Sequence, residues 1–113
     1  MKAAVVRTPG GLNNIEVIDI ADPGRPGPGE IRVALHASSL NFHDLLVANG
    51  GIPTADGRVL MADGAGVVEA VGEGVSEFQV GDHVVSGFFP QWPDGEVGTS
   101  VSNFAGTPGD GID

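Results

Sequence analysis

The stretch Gly64-Ala-Gly-Val-Val-Glu-Ala-Val-Gly-Glu-Gly-Val-Ser-Glu-Phe-Gln-Val-Gly-Asp-His-Val84 decides how the rest of the chain reads. Its valines are branched at Cβ, which stiffens χ1 and favours a pleated, extended backbone. Gly64, Gly66, Gly72, Gly74 and Gly81 punctuate it and permit bends that a side chain blocks. The combination predicts a strand, a tight Gly72-Glu73-Gly74 turn, a short extended arm, a corner at Gly81-Asp82 and a second strand. Val67-Val68 and Ala70-Val71 are adjacent apolar pairs. They fit a strand buried on both sides, or the wall of a barrel, better than simple alternation.

Outward from this stretch, more strands are legible. Met1 to Arg7 carries Ala3, Val5 and Arg7 on one face and Ala4 and Val6 on the other. Ile15 to Ile20 alternates cleanly, and so does Glu30 to Ala37, with Ile31, Val33, Leu35 and Ala37 on one side. Between them, Asp22 to Gly29 holds three prolines, which lack amide donors and fix φ, so it is loop. Ser38-Ser39-Leu40-Asn41 breaks the third strand. Phe42 to Ala48 reads as a helix, with Asn41 as its N-cap, Asp44 near its positive end and Asn49-Gly50-Gly51 as its stop. Val59 to Met61 is a short apolar run leading to Asp63, and Asp82 to Phe89 is a last strand closed by Pro90. Residues 90–113 show no periodic apolar pattern and read as a long loop. The sum is mainly β: about six strands around one core, one short helix, and an irregular β-barrel.

Composition narrows the function. The chain has 113 residues, enough for one domain. Its 19 glycines and 8 prolines lie between apolar runs, as in a turn-rich all-β domain. The absence of cysteine removes disulfides, thiolate zinc ligands and a cysteine nucleophile. No run approaches the ~18 apolar residues of a membrane span, and the N-terminal apolar run is too short for a signal peptide. A cytoplasmic protein is expected. Net charge is −10, and from Val59 onward there are nine acids and no Lys or Arg. Nucleic acid and anionic membranes are therefore unsuited partners.

The residues alone show no means of gripping a nucleotide. Neither Gly64-Ala65-Gly66 nor Gly72-Glu73-Gly74 completes a Gly-x-Gly-x-x-Gly pattern before a helix. His36 and His83 lie on predicted strands and read as structural or surface residues. His43 sits at a helix start, where backbone amides can face a ligand and an imidazole can act as a proton donor. His43 and Asp44 are adjacent, so on a helix they diverge, and no metal site is expected. Capping accounts for Asn41 and Asp44 without any ligand. Asp63 suits either turn chemistry or an inward-facing polar group in a cleft, and Phe89 and Trp92 either line a pocket or cover the core.

Four ordered pieces resemble the medium-chain dehydrogenase/reductase superfamily. They are the Met1-Lys-Ala-Ala-Val-Val opening, Pro28-Gly-Glu-Ile-Arg-Val33, Ser39-Leu-Asn-Phe-His-Asp-Leu-Leu46, and the Gly64–Val84 stretch itself. The resemblance implies a GroES-like β-barrel, the catalytic part of these enzymes, over residues 1–89. Residues 90–113 would then lead toward a barrel strand and a dinucleotide-binding (Rossmann) domain that the chain lacks.

Zinc enzymes of the superfamily carry Cys where this chain has Asn41, and Gly-His-Glu where it has Met61-Ala62-Asp63. The resemblance is therefore to the zinc-independent, quinone oxidoreductase-like and NAD(P)-dependent alcohol dehydrogenase branch. It implies a small-molecule substrate (a quinone, enone, other carbonyl or alcohol), NADP or NAD as cofactor in the longer enzyme, and no zinc. Asn41, His43 and Asp63 form the implied catalytic set. Asn41 would also sit beside the nicotinamide, His43 would stand at the proton-relay position, Asp44 would support the turn from behind, and Phe89 and Trp92 would belong to the substrate pocket. On this reading the chain is part of a longer enzyme, inactive alone and unable to bind NADPH appreciably. The rival is a stand-alone GroES-like binding or assembly module. A third reading is an inactive fragment that forms a homodimer through an exposed strand edge.

Overall fold

In the computed structural model, which describes residues 1–89 and Gly95, seven regular elements follow one another. They are strands β1 (Lys2–Val6), β2 (Ile15–Asp19) and β3 (Ile31–Ala37), helix α1 (Phe42–Ala48), and strands β4 (Arg58–Val59), β5 (Ala65–Val71) and β6 (His83–Val85). A single 3-10 turn, Leu12–Asn14, which the sequence pattern did not signal, leads into β2.

β1 is the centre of the first sheet. It pairs antiparallel with β2 from Lys2↔Asp19 to Val6↔Ile15, and with β4 through Val5↔Val59 and Val6↔Arg58. Successive strand residues point to opposite faces, and both Val5 and Val6 are fully buried. This end of β1 is therefore covered on both sides. β2 is an outer strand with most of its length in solvent, including Ile15 and Val17.

β5 is the centre of the second sheet, between β3 and β6. Along its first half the burial alternates, with Gly66 and Val68 buried and Ala65 and Val67 half-buried. The ladder to β3 slips register between Arg32 and Val33 and again between Leu35 and Ala37. Gly66 lies opposite Leu35, and a Cβ there would run into the Ala34 carbonyl. The close approach of the two backbones thus demands glycine. The Gly72-Glu73-Gly74 bend forms as expected, tied back by Gly72 N–H to Glu30 O at 2.8 Å and Gly29 N–H to Glu73 O at 2.8 Å.

The expected closed barrel is not what forms. The six strands among the described residues fall into two separate three-stranded sheets, β2-β1-β4 and β3-β5-β6, and neither sheet closes on itself or on the other. Two local features account for this. The run Val59–Met61 does not continue as a strand, because Met61 takes a left-handed φ of 87° that turns the chain away from β1. The last strand also stops at Val85, well short of Phe89. Alternation reports which faces are covered; closure depends on whether edges meet, and no pattern along one strand encodes that.

Helix α1 spans the residues expected of it. Asn41 precedes it in an extended conformation (φ −114°, ψ 160°) and Gly50 ends it with a left-handed φ of 85°. The crossing of Gly10 and Gly50 sets its position. A Cβ on either glycine would strike backbone atoms of the other segment, and Gly11 N–H donates to Ala48 O at 2.7 Å. The end of α1 is thereby fastened to the turn after β1. Among the described residues, Val47, Ala48, Ala62, Val68, Val5 and Val6 make up the buried apolar core.

Candidate functional site

The β3–β5 register builds the site. Ala37 pairs with Ala65, so the residues leaving β3 meet those entering β5, and Ser38 and Ser39 arrive beside Asp63 and Gly64. The Asp63 carboxylate collects four donors there. Its Oδ1 accepts from Ser39 N–H at 3.0 Å and from Ser38 Oγ at 3.0 Å. Its Oδ2 accepts from Ser39 Oγ at 2.7 Å and from Asn41 Nδ2 at 3.1 Å. Ser38 Oγ also donates to the Asp63 carbonyl oxygen at 2.8 Å. Hydrogen bonds of this kind stabilise the anion. The Ser39 amide, then the Ser39 hydroxyl, followed by Ser38 and Asn41, pull the Asp63 pKa from 3.8 down to about 2, against the upward pull of desolvation.

A second carboxylate secures the scaffold. Asp44 is buried, and its Oδ2 accepts from Asn41 N–H at 2.8 Å while its Oδ1 accepts from the buried Ala62 N–H at 3.0 Å. One side chain on the first turn of α1 thus grips both the residue that opens the helix and the residue before Asp63. The left-handed Met61 delivers the Ala62 amide to it.

His43 follows Asn41 by two residues, and its half-buried ring has both nitrogens withdrawn from solvent. It meets Phe88 edge to face, with centroids 5.2 Å apart and planes at 88°. Phe88 meets Phe89 in the same way at 5.0 Å and 87°. The sequence-named residues thus fall into two groups. Asn41, Asp44 and Asp63 share one hydrogen-bonded network, while His43 and Phe89 are joined through Phe88. Trp92 lies outside the described residues. His36 and His83 are exposed and line a shallow groove across β5 with Gly66 and Val67. Among the described residues no three His, Cys, Asp or Glu side chains converge on a metal-sized site.

Sequence reasoning missed Ser38, Ser39 and Phe88. The serines looked like a strand break, which they are. Their second role depends on the antiparallel register that sets them against Asp63, and a worked-out β3–β5 pairing would have revealed it.

Residues 27–111 match the alcohol dehydrogenase GroES-like domain. The chain belongs to that family. Within the medium-chain dehydrogenase/reductase superfamily it falls in the zinc-independent quinone oxidoreductase and alcohol dehydrogenase branch. A mycocerosic acid synthase-like polyketide synthase of Mycobacterium tuberculosis is 56% identical over 81 residues, covering 70% of this chain and 4% of that protein. An NAD-dependent alcohol dehydrogenase of known structure superposes with a TM-score of 0.68 at 47% identity, covering 75% of this chain and 25% of that one. The quinone oxidoreductase of Escherichia coli, solved with NADPH, gives a TM-score of 0.67 at 29% identity, covering 75% of this chain and 26% of that one. The GroES-like chain therefore spans about a quarter of the two enzymes and a small part of the synthase. Among its described residues no helix is long and apolar enough to cross a membrane.

Proposed function

We propose that this chain supplies the substrate-side part of a zinc-independent NAD(P)H-dependent oxidoreductase acting on a carbonyl, a quinone or an activated alkene. The network that holds Asn41 against an ionised Asp63, in a chain of this family, carries the reading. On this reading residues 1–89 lie in the GroES-like catalytic part, and the dinucleotide-binding portion is separate from them. Relatives solved with NADPH, or named for NAD dependence, support the cofactor class.

The described residues fit one end of such a cofactor and not the other. There is no phosphate cradle of the Gly-x-Gly-x-x-Gly kind, whereas the polar Asn41 and the imidazole of His43 suit the neighbourhood of a nicotinamide and a substrate oxygen. A bound dihydronicotinamide supplies the hydride. The residues of this chain have three other tasks. Asn41 contacts the ligand, His43 holds the proton that the reduced substrate takes up, and the Phe88–Phe89 pair shields that imidazole from water. The choice of NAD or NADP is set where the dinucleotide's far end is held, and the balance between alcohol oxidation and carbonyl reduction by the ratio of oxidised to reduced cofactor.

The test is consumption of NAD(P)H by the full-length protein with a quinone, an enone and a ketone as acceptors. Turnover with at least one acceptor is expected, and His43→Phe should lower kcat about a hundredfold, the ordinary size of a general-acid contribution. No turnover with any acceptor, or unchanged kcat in His43→Phe, would sink the assignment. The 113-residue chain by itself should not retain NADPH in equilibrium dialysis, and tight binding there would overturn the division of labour.

A further inference from the structure

The direction in which Asn41 faces carries an inference beyond this assignment. A carboxamide has a donor end and an acceptor end, while an ionised carboxylate only accepts. Asp63 is ionised, and the Asn41 group 3.1 Å from its Oδ2 must therefore be the NH2. The same nitrogen lies 3.3 Å from Ser39 O and 3.4 Å from Ser39 Oγ. The donor end of Asn41 is thus committed to the protein. The Asp44 N–H bonds the main-chain oxygen of Asn41 at 3.0 Å, and the side-chain carbonyl oxygen of this exposed residue keeps lone pairs to spare. The end left for a ligand is that oxygen.

We propose that Asp63 is a positioning residue that locks Asn41 with its NH2 inward and its carbonyl oxygen turned away from the carboxylate, so that the ligand group recognised there is a hydrogen-bond donor: a hydroxyl or an amide N–H. This rests on the use of Asn41 proposed above and specifies its chemistry. Asn41 does not stabilise the substrate's carbonyl oxygen or the negative charge that develops on it. It orients a ligand N–H or O–H instead, and the task at the substrate oxygen passes to His43. Ser38 and Ser39 act through Asp63, since they fill its remaining acceptor sites and leave one, on Oδ2, for the amide.

The geometry permits a test by exchange of partners. In Asp63→Asn, the amide oxygen can keep the Ser38 hydroxyl and Ser39 N–H donors at the Oδ1 position, and the new NH2 takes the Oδ2 position facing residue 41. In Asn41→Asp, two carboxylates face each other, although the helix keeps a good N-cap, because Asp caps as well as Asn. In the double variant Asn41→Asp with Asp63→Asn, the new amide at position 63 donates an N–H to the carboxylate at position 41, whose outer oxygen is again an acceptor.

In the full-length enzyme, Asn41→Asp is expected to lower kcat/KM about a hundredfold and Asp63→Asn about tenfold, the range for losing a charge-assisted hydrogen bond. The double variant is expected to return to within about tenfold of wild type. A double variant as poor as or poorer than Asn41→Asp would show that an acceptor at residue 41 is not what the ligand needs, and would overturn the proposal. An Asn41→Ala variant with unchanged kinetics would instead overturn the use of Asn41 itself, so the two failures are distinct.

A second measurement needs no activity. In 15N–1H spectra of the full chain, the Asn41 side-chain NH2 should exchange slowly with solvent, and Asp63→Asn should speed that exchange at least about tenfold. Exchange as fast as that of an exposed asparagine in the wild type would refute the orientation directly.

Discussion

Asp44 and Arg58 are both buried charged residues, but they are handled in opposite ways. Asp44 meets two amide donors, one part-buried at Asn41 and one buried at Ala62, and its removal in Asp44→Ala strands both of them. The expected loss is about 2–5 kcal/mol, read as a lower urea midpoint with unchanged slope. Asp44→Asn should recover little of it, because one of its two ends presents N–H to N–H. Arg58 is buried on β4 with Nε and Nη2 lacking a hydrogen-bond partner among the described residues, and burial of unpaired guanidinium N–H groups costs stability. Arg58→Met should therefore raise the midpoint, by about 1–3 kcal/mol of stability, and a fall would show that the arginine is compensated in solution. Asp63 sets a pH dependence. Its folded pKa of about 2 lies below the ordinary 3.8, so its contribution is complete above the ordinary value and is lost as pH falls from there through about 2. The difference in stability between wild type and Asp63→Asn should shrink across that window and stay level above it; a difference that grows as the pH drops below the ordinary carboxylate value would contradict the network.

Among the elements, β5 is the one that glycine governs most tightly. Gly66 and Gly74 test separate causes. A methyl at Gly66 meets the Ala34 carbonyl across the ladder, so Gly66→Ala must push β3 and β5 apart. Gly74 has open space around it but a φ of 80°, so Gly74→Ala costs only the left-handed penalty of about 1–2 kcal/mol. Thermal melts should show Gly66→Ala at least twice as destabilised, and equal effects would mean that the strands tolerate the separation. The same element shows what a sequence discloses. The valine run and the Gly72-Glu73-Gly74 bend were legible because Cβ branching and backbone freedom act locally. Helix α1 was legible for the same reason, since its start and stop residues adjoin it. The Ser38–Ser39–Asp63 network was not, because it depends on the pairing of Ala37 with Ala65, a contact between distant segments. Nor was the failure of the sheets to close. The turn at Met61 puts a non-glycine residue in a conformation that its side chain does not announce.

For the molecule as a whole, charge decides the response to salt. Among the described residues, five ion pairs link Arg or Lys to carboxylates, all at least partly exposed, as with Lys2–Asp19 at 73% and 74% side-chain exposure. Such exposed pairs are worth about 0–1 kcal/mol each. Against them stands a net charge of −10 on 113 residues. Salt screens both, but the excess of like charge is spread over the whole surface, so relief of repulsion should win. The Tm of the chain should rise between about 0.01 M and 0.2 M sodium chloride, where the Debye length falls from ~30 Å to under ~10 Å. A falling Tm would mean that the ion pairs outweigh the repulsion.

The grip of Asp44 on the amides of Asn41 and Ala62 also bears on how this protein can vary. The backbone from residue 41 to residue 62 leaves one carboxylate and returns to it, and the spacing of Asn41 from Asp63 is fixed at that knot rather than along the path between. The exposed turn at Gly51, Pro53 and Ala55 lies on the path. Residues gained or lost there lengthen or shorten the excursion and leave its two ends where they were. The segment can therefore diverge in length and shape, and with it whatever the turn meets, while the donors around Asp63 keep their places.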